Sequence, residues 1–124
     1  MEAKRVTFQE FALEIVKAKR AEWRNPKHGD QWQFTLTEYA FPVIGAKALD
    51  EIETEDVLKI LQPIWQTKTE TASRLRGRIE RILSAATTKK LRSGTNHAMW
   101  RGHLDTLLAQ PKKVTWVTHH AALP

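Results

Sequence analysis

Apolar residues recur at helical spacing in four successive runs along this chain, and that periodicity confines it to helix-on-helix packing. The first run opens at Thr7-Phe8-Gln9-Glu10, the form of a capping box in which hydroxyl and carboxylate satisfy each other's backbone donors. Phe8, Phe11, Ala12, Ile15, Val16 and Trp23 follow as one stripe. Asn25-Pro26 is expected to end this helix, because the residue before proline is pushed out of helical geometry.

A second helix is expected over residues 27–40, with Trp32, Leu36, Tyr39 and Ala40 inward and Lys27, Gln31, Thr35 and Glu38 outward. Phe34 also falls on the outer side. Phe41-Pro42-Val43-Ile44-Gly45 should break the pattern, with Pro42 and Gly45 as punctuation. Thr54 is the expected cap of a third helix, with Glu55 and Asp56 in the turn where the helix dipole favours negative charge. That helix is apolar nearly all round, so it should be the most buried, with Pro63 kinking or ending it.

Thr67-Lys68-Thr69-Glu70 has the form of a second capping box ahead of a long run to Thr87. Ala72, Leu75, Ile79, Ile82, Leu83 and Ala86 form its inner stripe. Arg74, Arg78 and Arg81 share one flank, Arg76 takes the other, and Gly77 faces outward. A short fifth helix is expected after Asn96, anchored by Met99, Leu104, Leu107 and Leu108. The fold class is therefore all-α: a compact bundle of four main helices plus a short fifth. Its expected organisation is a disordered start over residues 1–6, a helical domain over 7–108 and an extended linker over 109–124.

Charge separates along the chain more than its total suggests. The 124 residues carry 20 Lys+Arg against 14 Asp+Glu, a net +6. Residues 1–41 are nearly balanced, residues 42–66 are acidic, and residues 67–113 hold 11 basic side chains against three acidic ones. A basic block beside an acidic one has the character of a polyanion footprint. The competing reading is a merely solvated helix face.

Several chemistries are excluded. The chain has no cysteine, so disulfides, thiolate zinc sites and cysteine nucleophiles are out. It has no glycine-rich phosphate loop, no His-Glu-x-x-His and no Gly-x-Ser-x-Gly elbow. The adjacent His119 and His120 lack a cysteine or carboxylate partner nearby, and Glu51, Glu53, Glu55 and Asp56 suit helix capping better than a cation. No metal, cofactor or catalytic residue is expected. With no run long and apolar enough to span a bilayer and no signal peptide, a cytoplasmic protein is the expectation.

Duplex DNA fits the pattern better. Helix N-termini offer free N–H groups to phosphate, and Arg, Gln and Asn can read base edges. The candidate contacts are Lys27, His28, Gln31 and Thr35 from the second helix and Thr67, Lys68, Thr71, Arg74, Arg76 and Arg78 from the fourth. Lys89 and Lys90 extend that basic surface.

The ordered set Asn25-Pro26-Lys27-His28, Gln31-Trp32, Tyr39-Ala40-Phe41-Pro42-Val43-Ile44-Gly45, Pro63-Ile64-Trp65, Thr71-Ala72-Ser73-Arg74 and Arg76-Gly77-Arg78-Ile79-Glu80 resembles the core-binding domain of prophage-type tyrosine site-specific recombinases, the phage integrases. Trp100-Arg101-Gly102-His103-Leu104-Asp105 and His119-His120-Ala121-Ala122-Leu123-Pro124 continue the resemblance. It implies a SAM-like helical domain that grips the core site of duplex DNA and forms a clamp with a separate catalytic domain. It also implies a middle domain able to bind DNA and unable to cut it, monomeric in isolation and meeting other recombinase protomers on DNA. Two other classes stay open from the residues alone. One is a helix-turn-helix regulator; the other is a protein-interaction module using the apolar tail at Val114, Trp116, Val117 and Leu123.

Overall fold

The computed structural model describes residues 5–111. Four long helices carry it: α1 (Phe8–Arg20), α2 (Pro26–Thr35), α4 (Thr54–Trp65) and α5 (Thr69–Thr88), with a single-turn α3 (Phe41–Ile44) between the two pairs. A π-helical turn (Leu36–Ala40) joins α2 to α3, and 3-10 turns occupy Leu49–Glu51 and Leu104–Thr106. No strand forms among the described residues, so the all-α expectation holds; an isolated bridge pairs Thr7 with Ala48.

The longest helix is the hub. α1, α2 and α4 all pack on α5, whose inner stripe of Ala72, Leu75, Ile79, Ile82, Leu83 and Ala86 is fully buried. Phe8, Phe11, Leu36, Ile44 and Leu61 complete the centre of the core. Truncating Leu75 or Ile79 to alanine would cost about 2–5 kcal/mol, through lost transfer energy and an unfilled cavity.

The N-terminus of α1 leaves none of its first donors idle. Thr7 Oγ1 accepts from Glu10 N–H, and the Glu10 carboxylate accepts from Thr7 N–H. The next two donors, Phe8 N–H and Gln9 N–H, reach the carbonyls of Lys47 and Gly45 at 2.9 and 3.0 Å. Two residues ahead of the cap also make contacts: Arg5 pairs with Asp50 and Glu51, and Val6 O accepts from Leu49 N–H.

The joint between α1 and α2 is closed by a side chain crossing a glycine. Arg20 pairs with Asp30 at 3.2 Å and donates to Gln33 Oε1 at 3.2 Å. A Cβ at Gly29 would lie 2.5 Å from its guanidinium, so any larger residue there would make the Arg20 side chain shift.

Several boundaries differ from the sequence expectation. α1 stops at Arg20, and Trp23 packs from the following turn onto Trp32 with ring centres 5.5 Å apart. Pro42 does not break the helical path, whereas Gly45 caps the end of α3 as expected. The π turn widens the backbone ahead of Pro42, whose missing N–H falls at the start of α3, where no partner is needed. The cap of α4 is Glu53, whose N–H donates to Asp56, while Thr54 is already helical. No capping box forms at α5: the cap is Lys68, and Thr69 Oγ1 instead donates back to Trp65 O at 2.7 Å. Pro63 sits inside the last turn of α4, which ends two residues on at Trp65.

The expected fifth helix is reduced to the turn at Leu104–Thr106, and Leu107 is 56% exposed rather than an anchor. Side chains anchor this segment to the bundle, alongside the backbone bonds of its own turns. Asn96 donates to Glu80 O and Ser84 Oγ, Trp100 stacks on Trp65 at 5.5 Å, and Trp65 Nε1 donates to Ala109 O. Residues 112–124, including His119, His120, Val114, Trp116, Val117 and Leu123, lie outside the described residues.

Candidate nucleic-acid interface

The candidate site is the seam where α2 lies beside the first half of α5. Asn25 caps α2 through its side chain, accepting from Lys27 N–H at 2.9 Å, and Pro26 sets the first turn. Lys27, His28 and Gln31 are exposed on the turns that follow. Leu36 points the opposite way, into the core, and Trp32 is buried beneath Arg78.

Thr35 is not on the outer side as expected. It is buried, its hydroxyl directed to the Gln31 and Trp32 carbonyls and taken as an acceptor by Arg78 at 2.8 Å. The reason is α5 itself, which packs on α2 and covers that flank. Arg78 also donates to Gln31 O at 3.2 Å and lies 5.7 Å from the centre of Trp32. Burial first, and the like charge of Arg74 second, lower its pKa, yet a guanidinium stays cationic.

The arginines of α5 thus divide into two kinds. Arg76 and Arg78 are fixed: Arg76 pairs with Glu80, donates to Ala98 O and lies over Trp100. Arg74 and Arg81 are exposed, and among the described residues neither has an ion-pair partner. A groove of about 410 Å³ runs between the two helices, lined by Trp23, His28, Gln31, Trp32, Arg74, Arg78 and Arg81. Its cations are in place before any ligand arrives, and no carboxylate lines it.

The other candidates are distributed along α5. Thr67 and Lys68 are exposed ahead of its first turn, Thr71 is half-buried, and Lys68 Nζ reaches Tyr39 Oη at 3.4 Å. Lys89 and Lys90 lie past the other end, with Lys89 Nζ 5.9 Å from the Phe11 ring. A helix of 20 residues spans roughly 30 Å, so those lysines and Thr67 flank the groove from opposite ends. Arg81 is the groove cation that the candidate set omits; its spacing from Arg74 was the available signal.

Residues 8–103 match the phage integrase central domain family. The chain belongs to that family. It is the core-binding domain of a phage-type tyrosine recombinase, with a role in integrase-type recombination, and the match covers the central, non-catalytic domain. The solution NMR structure of protein Nmul_A0922 from Nitrosospira multiformis is similar to this central domain, with 49% identity and a TM-score of 0.73. The likeness covers 81% of this chain and 94% of that one. No curated protein matches it. Among the described residues no helix of this integrase domain is long and apolar enough to cross a membrane, and no group of three or more His, Asp or Glu could hold a metal ion.

Proposed function

We propose that this integrase central domain binds duplex DNA at the recombination core site through the α2/α5 face and leaves strand cleavage to a catalytic domain. The observation that carries the reading is the groove between those helices, with Arg74 and Arg81, which have no ion-pair partner among the described residues, on one wall and His28 and Gln31 on the other. Phosphate contacts of this kind set register, and the polar side chains of α2 sense base edges. A helix-turn-helix reading fits less well, because α3 and α4 intervene between the two helices.

The test is a ¹H–¹⁵N NMR titration with a duplex carrying the element's core site, at two salt concentrations. Shifts at Lys27, His28, Gln31, Arg74 and Arg81 that weaken with salt are expected. A spectrum unchanged by DNA at low salt rejects the reading.

Contact with a neighbouring protomer on the DNA is a compatible second role, favoured by Phe34, which is 63% exposed on α2. Phe34→Ser should leave binding to a single site intact and reduce cooperativity on paired sites.

A further inference from the structure

We infer that Gly77 is the point at which one DNA phosphodiester strand crosses α5, held between Arg74 and Arg81; this rests on the duplex-binding reading above. The three residues stand at i, i+3 and i+7 and therefore share one stripe of the helix. The two arginines are about 10 Å apart along the axis, with the residue that has no side chain between them.

A glycine inside a helix has a physical cost, since only proline is a poorer residue there. At two other glycines the chain itself occupies the space that a Cβ would take. At Gly29 a Cβ would meet Arg20 at 2.5 Å, and at Gly45 it would meet the Phe41 carbonyl at 2.6 Å. At Gly77 a Cβ would meet nothing within 4 Å. Packing within the domain therefore does not require this glycine.

What the missing side chain keeps open is a saddle. Two hollows, of about 460 and 250 Å³, are both lined by Gly77, Trp32 and Arg81. Trp32 forms the floor, and the free guanidinium groups rise one turn to either side. Beneath them Arg78, bonded to Thr35 and the Gln31 carbonyl, supplies a third cation. The one carboxylate that borders the larger hollow, Glu80, is committed to Arg76. An anionic strand thus finds clearance over the helix and charge on both sides of the crossing. Because the N–H of Gly77 already serves the helix, the glycine contributes clearance and not a hydrogen bond.

The test compares Gly77→Ala and Gly77→Gln in the full chain, by thermal melting and by fluorescence anisotropy with a labelled mixed-sequence duplex at two salt concentrations. Both replacements are better helix formers, so both variants should melt at or above the parent temperature. Duplex affinity should fall severalfold for alanine and further for glutamine, in step with side-chain size. Variants that bind as tightly as the parent overturn the inference. So do variants that melt lower, because Gly77 would then be a packing requirement. A parent that binds no duplex at either salt defeats the DNA-binding proposal itself, a result distinguishable from both.

Discussion

Arg78 Nη1 donates to Thr35 Oγ1 at 2.8 Å, tying together side chains 43 positions apart and bracing α5 against α2. The same nitrogen reaches the Gln31 carbonyl, and the guanidinium plane covers Trp32. An arginine that belongs by spacing to the outward stripe of α5 is thus a strut between two helices.

Removing that strut should cost stability. Arg78→Ala is expected to lower the unfolding free energy by about 1–2 kcal/mol, the sum of a charged hydrogen bond and a cation–π contact. Thr35→Val keeps the shape and removes the acceptor, for about 1 kcal/mol. Urea denaturation of both variants and of the double variant measures the coupling, which should make their effects less than additive. An unchanged midpoint in Arg78→Ala contradicts the bracing role.

Arg74→Ala and Arg81→Ala should behave in the opposite way. Both side chains are exposed, so stability should stay within about 0.5 kcal/mol of the parent. Each should weaken duplex binding and reduce the slope of log affinity against log salt by about 0.9, the share of one phosphate contact. Anisotropy titrations over a salt series supply that slope, and an unaltered slope in both variants removes these arginines from the interface.

The helices were legible where one face is buried and the other wet. α1, α4 and α5 follow from periods of apolar residues, because burial of Phe8, Phe11, Val57, Leu61, Leu75 and Ile79 leaves a 3.6-residue trace. Thr35 was not legible as buried, since a threonine can satisfy its own hydroxyl within a helix and carries little signal of which side a neighbour covers. Continuity across Pro42 was hidden for a similar reason: a proline stops a regular helix but suits the turn opened by a π bulge. The segment after Lys89 keeps its place through Asn96, Trp100 and Arg92, contacts between distant positions that no local pattern encodes. In the candidate site, the basic stripe of α5 was visible, but its division into fixed and free arginines depends on partners in α2 and at Ala98.

Lys90 holds a φ of 62°, a left-handed conformation that glycine adopts without cost and other residues do not. It stands just past α5, where Leu91 N–H returns to Ala86 O at 2.8 Å and Lys90 N–H to Thr87 O. Lys90→Gly should therefore stabilise the domain by about 1 kcal/mol, and Lys90→Ala should not. If the ammonium contacts DNA, the glycine variant will be more stable and bind more weakly. Chemical denaturation and anisotropy on the same samples separate the two effects, and a glycine variant that unfolds earlier refutes the strain.

His97 sets an acid limit on the fold. Thr54 Oγ1 lies 2.9 Å from His97 Nδ1 and 2.7 Å from His103 Nε2, and one hydroxyl proton can serve only one of them. The hydroxyl donates to one ring and accepts from the other, so the ring that accepts its proton must be neutral. Burial first, then the charges of Arg92 and His103, lower the His97 pKa below its ordinary 6.5, against weaker opposition from Glu53 and Asp56. The unfolded chain takes up this proton near pH 6.5 and the folded chain only at lower pH, so stability should be full above that value and decline as acid is added. Asp56 acts in the same direction further down. Burial pushes its carboxyl up, but the Glu53 N–H and the Lys47 ammonium outweigh that and hold its pKa below 3.8, so its contribution is lost only in stronger acid. His97→Asn removes the titrating group, and denaturation midpoints should then stay level between pH 7 and pH 5.5, where the parent declines. A parent midpoint that is flat over the same window would show that the segment after α5 is not held by a neutral His97.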